Sequence, residues 1–197
     1  MRQSTPSAKA GEKNRIRLFG GLRTLALSSL LVALSIVLGK YAAVNIGDSF
    51  RLSLENLPVL LAGVFAGPII GGLVGCVADL IGCVLVGYAI NPIITLGATL
   101  VGVVSGLMAR YVLPRSKTDT CPPWRIVVSV YSAHIVGSMA VKSLGMWVYY
   151  GTPPITLLWR VPIYLVTGVV ESGVLIILSR SRLFMGELNK ITHGRTS

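Results

Sequence analysis

Few residues of this chain carry side chains able to do chemistry, and most of them stand inside or at the ends of apolar runs. Two acids, Asp79 and Glu171, lie within such runs. An ionisable group in a bilayer is costly and ordinarily faces a polar cavity or a partner. Asp79 sits about seven residues from the nearer helix end, so it can line a pocket that opens there. Glu171 lies about three turns from Arg160, too far for a direct pair, and reaches a ligand only in a deep pocket. Arg51, Glu55 and Asn56 stand directly before the apolar run that opens at Leu57. Such a cluster is either an interface anchor or one wall of a binding site.

Other chemistries find no support. His134 is isolated in an apolar run and reads as a hydrogen-bonded bundle residue; His193 belongs to a polar tail. Cys76, Cys83 and Cys121 form no CxxC pair and no Cys/His ligand spacing, which argues against a metal site or a disulfide. Walker, HExxH and GxSxG patterns are all missing. No catalytic residue, metal ligand or cofactor is therefore assigned. Without an ATP-hydrolysing apparatus, active transport by such a chain needs a partner or an ion gradient.

The elements that position these residues are hydrophobic. Apolar residues make up 53% of the 197, charged residues 13%, and the mean hydropathy is +0.74. A soluble domain of this size needs more polar surface. The expected fold is an all-α membrane protein, a bundle of six transmembrane helices. Spans are expected at about 22–39, 54–65, 69–86, 92–113, 126–147 and 158–178, the second of them short. Gly67-Pro68 interrupts a run too long for one helix and predicts a tight reversal. A basic segment over 1–21, a membrane domain over 22–180 and a tail over 181–197 complete the division.

The net charge of +11 is distributed as membrane topology demands, without the basic and aromatic stripe that nucleic acid requires. If both termini are cytoplasmic, 14 of the 18 basic residues fall inside. The four exceptions are Lys40, Arg51, Lys142 and Arg160, at the outer ends of helices. Singly each can snorkel to the interface; together they suit an anionic ligand. Arg51 with Asn56 then forms one wall of that site. Tyr88 and Asn91 lie in the third loop, and Trp147, Tyr149 and Tyr150 in the fifth, where clustered rings can stack a flat heteroaromatic compound. Small residues recur at Ser29 and Ala33 and at Gly71 and Gly75. Such faces either pack inside a bundle or dock another membrane subunit.

The run RLSLENLPVLLAGVFAGPIIGGLVGCVADLIG, with NPIITLGATLVGVVSGL and KSLGMWVYYGTPPITLLWRVP, resembles the substrate-binding S components of energy-coupling factor (ECF) transporters, and among them the folate family. The resemblance covers about residues 22–180 and implies a vitamin bound near the extracellular side of a prokaryotic plasma membrane. It also implies association with a transmembrane coupling subunit and two cytoplasmic ATPases. Ser29, Ala33, Gly71 and Gly75 then become candidates for the coupling contact. The acid Glu55 beside Arg51 departs from the family pattern. A folate offers a flat pterin to Trp147 and the tyrosines, carboxylates to the outer cations, and an aminopyrimidinone edge to Asp79 or Asn91. The alternatives are an S component for another vitamin or a nucleobase-like ligand, an ion-coupled carrier using Asp79 and Glu171, and a structural subunit.

Overall fold

The computed structural model describes residues 22–46, 50–113 and 122–181, together with Gly186. The basic segment before residue 22, Cys121 and nearly all of the tail lie outside the described residues. Five helices are long and apolar enough to cross a membrane: α1 (Leu22–Lys40), α3 (Pro68–Val86), α4 (Pro92–Val112), α5 (Pro123–Tyr150) and α7 (Arg160–Arg180). Between them lie α2 (Leu57–Ala66) and the single turn α6 (Pro154–Leu158). At about 1.5 Å per residue, α2 covers roughly half of the hydrocarbon thickness by itself. The loop after α1 holds a ribbon of two antiparallel strands, β1 (Val44–Ile46) and β2 (Phe50–Leu52), with Asn45 opposite Arg51. The ribbon was not among the expected elements.

Local chemistry sets the boundaries. Gly67 takes φ 109° and Pro68 opens α3, which makes the predicted reversal. Asn91 caps α4, its Oδ1 accepting from the amides of Ile93 and Ile94 at 3.0 and 3.4 Å, with Pro92 in the first turn. Gly87 and Gly151, both with positive φ, end α3 and α5. Because no glycine or proline intervenes before Gly151, α5 continues past Trp147 through Tyr149 and Tyr150. These rings thus lie on a helix and not in the loop where the sequence suggested them. Three stretches widen to π-type turns: Ala62–Ala66, Met108–Val112 and His134–Val141. Such turns re-aim the residues that follow, here Lys142.

The bundle is polar within and apolar without. From α1, Thr24, Ser28, Leu31, Ser35 and Gly39 face inward, while Leu30, Leu34 and Val37 face out. Several inward hydroxyls bond within their own helices: Ser28 Oγ donates to Thr24 O at 2.8 Å, and Ser129 Oγ to Arg125 O at 2.7 Å. This arrangement suits a lipid surround, where apolar side chains face a solvent as apolar as themselves. The apolar core joins Leu31, Leu60, Val74, Val101, Ile126, Val130 and Leu175. Glycines bring backbones together around α4. A Cβ at Gly71 would stand 2.5 Å from Gly63 Cα, and one at Gly102 would stand 2.1 Å from Gly71 O. Gly75 faces Ala98 O in the same way, at 2.3 Å. Gly71 and Gly75 therefore pack inside the bundle and offer no docking face, whereas Ser29 and Ala33 are exposed.

A candidate ligand site at one end of the bundle

The chain alternates in direction, so the start of α1 and the end of α7 share one end of the bundle. At the other end a cavity of about 330 Å³ opens, with a smaller lobe of about 70 Å³ beside it. Glu55, Asn56, Asp79 and Lys142 line both lobes, which therefore form one site.

Each wall follows from the helix that carries it. Lys142, 6% exposed, emerges from the wide segment of α5 and donates through Nζ to Glu55 Oε1 at 3.5 Å. Its stem lies along Gly97, where a Cβ would come within 2.6 Å of Lys142 Cγ. Glu55 is held at the entry to α2, its carbonyl accepting from Ser35 Oγ at 2.6 Å. On α3, Asp79 Oδ2 accepts from Thr95 Oγ1 at 2.7 Å, which fixes the carboxylate at the boundary of the two lobes. On α7, Arg160 Nη2 donates to Tyr164 Oη at 2.8 Å and Nη1 donates to Met146 Sδ. Among the described residues these partners of Arg160 are uncharged, which leaves its charge available to an anion. Beneath the cavity His134 Nε2 and Glu171 Oε2 share a hydrogen bond of 2.5 Å, both side chains fully buried.

The structure thus gathers Asn56, Asp79, Lys142 and Arg160 of the expected set around one cavity. Lys40 lines the small lobe, with Nζ 5.7 Å from the Tyr88 ring. Arg51 lies on β2, and its side chain is outside the described residues. Asn91 is occupied as a cap and by Gly145 O, to which its Nδ2 donates at 3.3 Å; it does not line the cavity. Trp147, Tyr149 and Tyr150 are more than half exposed on the last turns of α5 and also stand outside the lining. The residues that sequence reasoning missed are Thr95, Met146, Tyr164 and Thr167, and Glu55 was set apart as an oddity. Tyr164 follows Arg160 by four on one helical face, and that spacing was a readable signal.

A helical membrane body enclosing a largely apolar cavity with a few acidic and basic side chains in its lining defines a membrane-embedded small-molecule binding protein. Over residues 23–183 the chain matches the substrate-specific component of ECF transporters, and it belongs to that family. It is thus a substrate-binding transporter subunit. Two solved structures share the fold. One is FolT in a crystal structure with folic acid bound, with a TM-score of 0.58 and 22% identity, covering 90% of this chain and 96% of that one. The other is the S component of a bacterial ECF transporter, with a TM-score of 0.58 and 25% identity, covering 79% and 92%. No match is found among curated protein sequences.

Proposed function

We propose that this chain captures a folate for an ECF-type importer in the cavity lined by Asp79, Lys142 and Arg160. The observation that carries this reading is the presence of both acidic and basic side chains in the lining of one cavity. Asp79, held by the Thr95 hydroxyl, offers a carboxylate to the amino and N–H groups of a pterin edge. Arg160, held only by neutral groups among the described residues, offers a guanidinium fork to a glutamate carboxylate. The folic-acid-bound neighbour of the same fold supports the same ligand.

In this reading α2 is a short sixth membrane helix and both termini are cytoplasmic, in line with the excess of lysine and arginine at that end. The cavity then opens to the outside of a prokaryotic plasma membrane. A transmembrane coupling subunit and two cytoplasmic ATPases complete the importer and supply ATP hydrolysis. The exposed small residues Ser29 and Ala33 on α1 are placed toward the coupling subunit.

The test is equilibrium binding of radiolabelled folate to the purified chain in detergent, with no partner and no ion gradient. A Kd below about 1 µM, or roughly 8 kcal/mol of binding free energy, is expected. Absence of saturable binding overturns the reading. A second reading is favoured by the cavity volume, about 330 Å³, which is at the small end for drug-sized ligands. It names a smaller vitamin or nucleobase-like compound, and competition by a panel of unlabelled compounds decides between the two.

A further inference from the structure

The buried His134–Glu171 pair touches no ligand position, yet a continuous path joins it to the cavity. His134 Nε2 lies within hydrogen-bond distance of Glu171 Oε2, at 2.5 Å, and both side chains are 0% exposed. On its other side the imidazole lies against the Tyr164 ring, with centroids 5.1 Å apart and planes at 32°. Tyr164 Oη accepts from Arg160 Nη2 at 2.8 Å, and the guanidinium carbon stands 5.4 Å from the same ring centre. Arg160, Tyr164, Thr167 and Glu171 run down one face of α7 at spacings of three and four residues, and the first three line the cavity.

A long arginine side chain at a pocket mouth loses much rotamer freedom when it is held for a ligand. A site is effective when that ordering is made beforehand by supporting contacts. Here the chain of support ends on a short hydrogen bond shielded from water, where such a bond is strongest. We infer that the His134–Glu171 pair is the positioning element of the anion end of the cavity. It fixes the Tyr164 ring and, through it, the Arg160 guanidinium, and so sets the preference for a ligand carboxylate over a neutral ester. The inference rests on the reading of this cavity as the ligand site.

The test compares folate with its uncharged dimethyl ester on the full-length chain in detergent. Glu171→Gln keeps the shape and replaces the carboxyl group in that bond with an amide. It is expected to lower folate affinity about tenfold, the order of one hydrogen bond to a charged group, while leaving ester affinity unchanged. Combining it with Arg160→Gln is expected to add nothing to the loss from Arg160→Gln alone. Leu175→Ala, a core change one turn further along α7, tests for mere destabilisation and is expected to leave the folate-to-ester ratio intact. His134→Asn repeats the measurement should Glu171→Gln not fold. Equal losses for folate and ester, or additive losses in the double variant, overturn the inference. A readout without ligand separates this result from failure of the folate assignment. The order of the Arg160 side chain, followed by nitrogen relaxation at Nε, must fall in Glu171→Gln. If wild type binds no folate, the assigned ligand is wrong and the Arg160 order alone decides: unchanged order refutes the positioning role.

Discussion

Arg160 and Asp79 line the same cavity, yet they differ in what holds them. Asp79 is fixed by one hydroxyl, from Thr95, whereas Arg160 rests on a tyrosine, a thioether and a ring face. Arg160→Gln removes the charge and keeps hydrogen-bonding capacity. It is expected to weaken folate binding roughly 10- to 100-fold, as loss of a charged hydrogen bond would, measured by the same equilibrium binding of radiolabelled folate. Gly97→Ala acts on Lys142 by contact. Its Cβ would meet Lys142 Cγ at 2.6 Å and Gly137 O at 2.8 Å, so the lysine must leave its channel. Folate affinity should then fall by about tenfold or more, with a stability cost of about 1–3 kcal/mol read from thermal unfolding. Individual site residues were legible as improbable polar groups in apolar runs. Their partners were not: Glu55 and Lys142 stand 87 positions apart, and only helix packing brings them together. The His134–Glu171 pair was closer to legibility. His134 lies roughly 12 Å along its helix from Lys142, and Glu171 roughly 16 Å from Arg160. Two lone polar groups at similar depth on two spans are natural partners.

At the scale of elements, the boundaries were legible wherever glycine or proline spoke. Gly67-Pro68 and Asn91-Pro92 mark ends that the structure keeps. Where such residues were lacking the reading drifted, and α5 runs three residues beyond 147 with its aromatic cluster. The ribbon had a signal as well. Val-Asn-Ile and Phe-Arg-Leu alternate apolar and polar on either side of Gly47-Asp48, a hairpin pattern hidden by the stronger helical runs. Which small-residue face packs inward was not legible, because Gly71, Gly75, Ser29 and Ala33 share the same spacing and composition. Only the neighbouring helices distinguish them. The packing of α3 on α4 yields a sharp expectation. Gly102→Ala places a Cβ 2.1 Å from Gly71 O, where no flexible side chain can yield. It should destabilise the protein by about 1–3 kcal/mol in thermal unfolding in detergent, while Ser29→Ala on the exposed face leaves the midpoint unchanged.

For the molecule as a whole, orientation governs function, since a capture subunit for an importer must open its cavity outward. The basic residues argue for that orientation, and labelling tests it. In a background with the three native cysteines replaced, Thr152→Cys at the cavity end should react with a membrane-impermeant maleimide added to intact cells. Ser197→Cys should react only after the membrane is permeabilised. The reverse pattern would turn the molecule over and exclude the proposed role. The fold class was legible from composition alone, because 53% apolar residues in 197 cannot be hidden inside a water-soluble domain.

The glycine contacts also have a mechanical consequence. Around α4, the helices α2, α3 and α5 approach backbone to backbone, through Gly63, Gly71, Gly97, Gly102 and Gly137. Much of that contact is backbone on backbone, with no rotamer to change, so these four helices behave as one stiff block carrying Asp79, Thr95 and Lys142. By contrast α7 meets this block through side chains, such as Tyr131 against Gly168. Compliance is thus concentrated in the wall that carries Arg160, and a ligand entering the cavity meets a stationary wall carrying Asp79 and Lys142 and an adjustable one carrying Arg160.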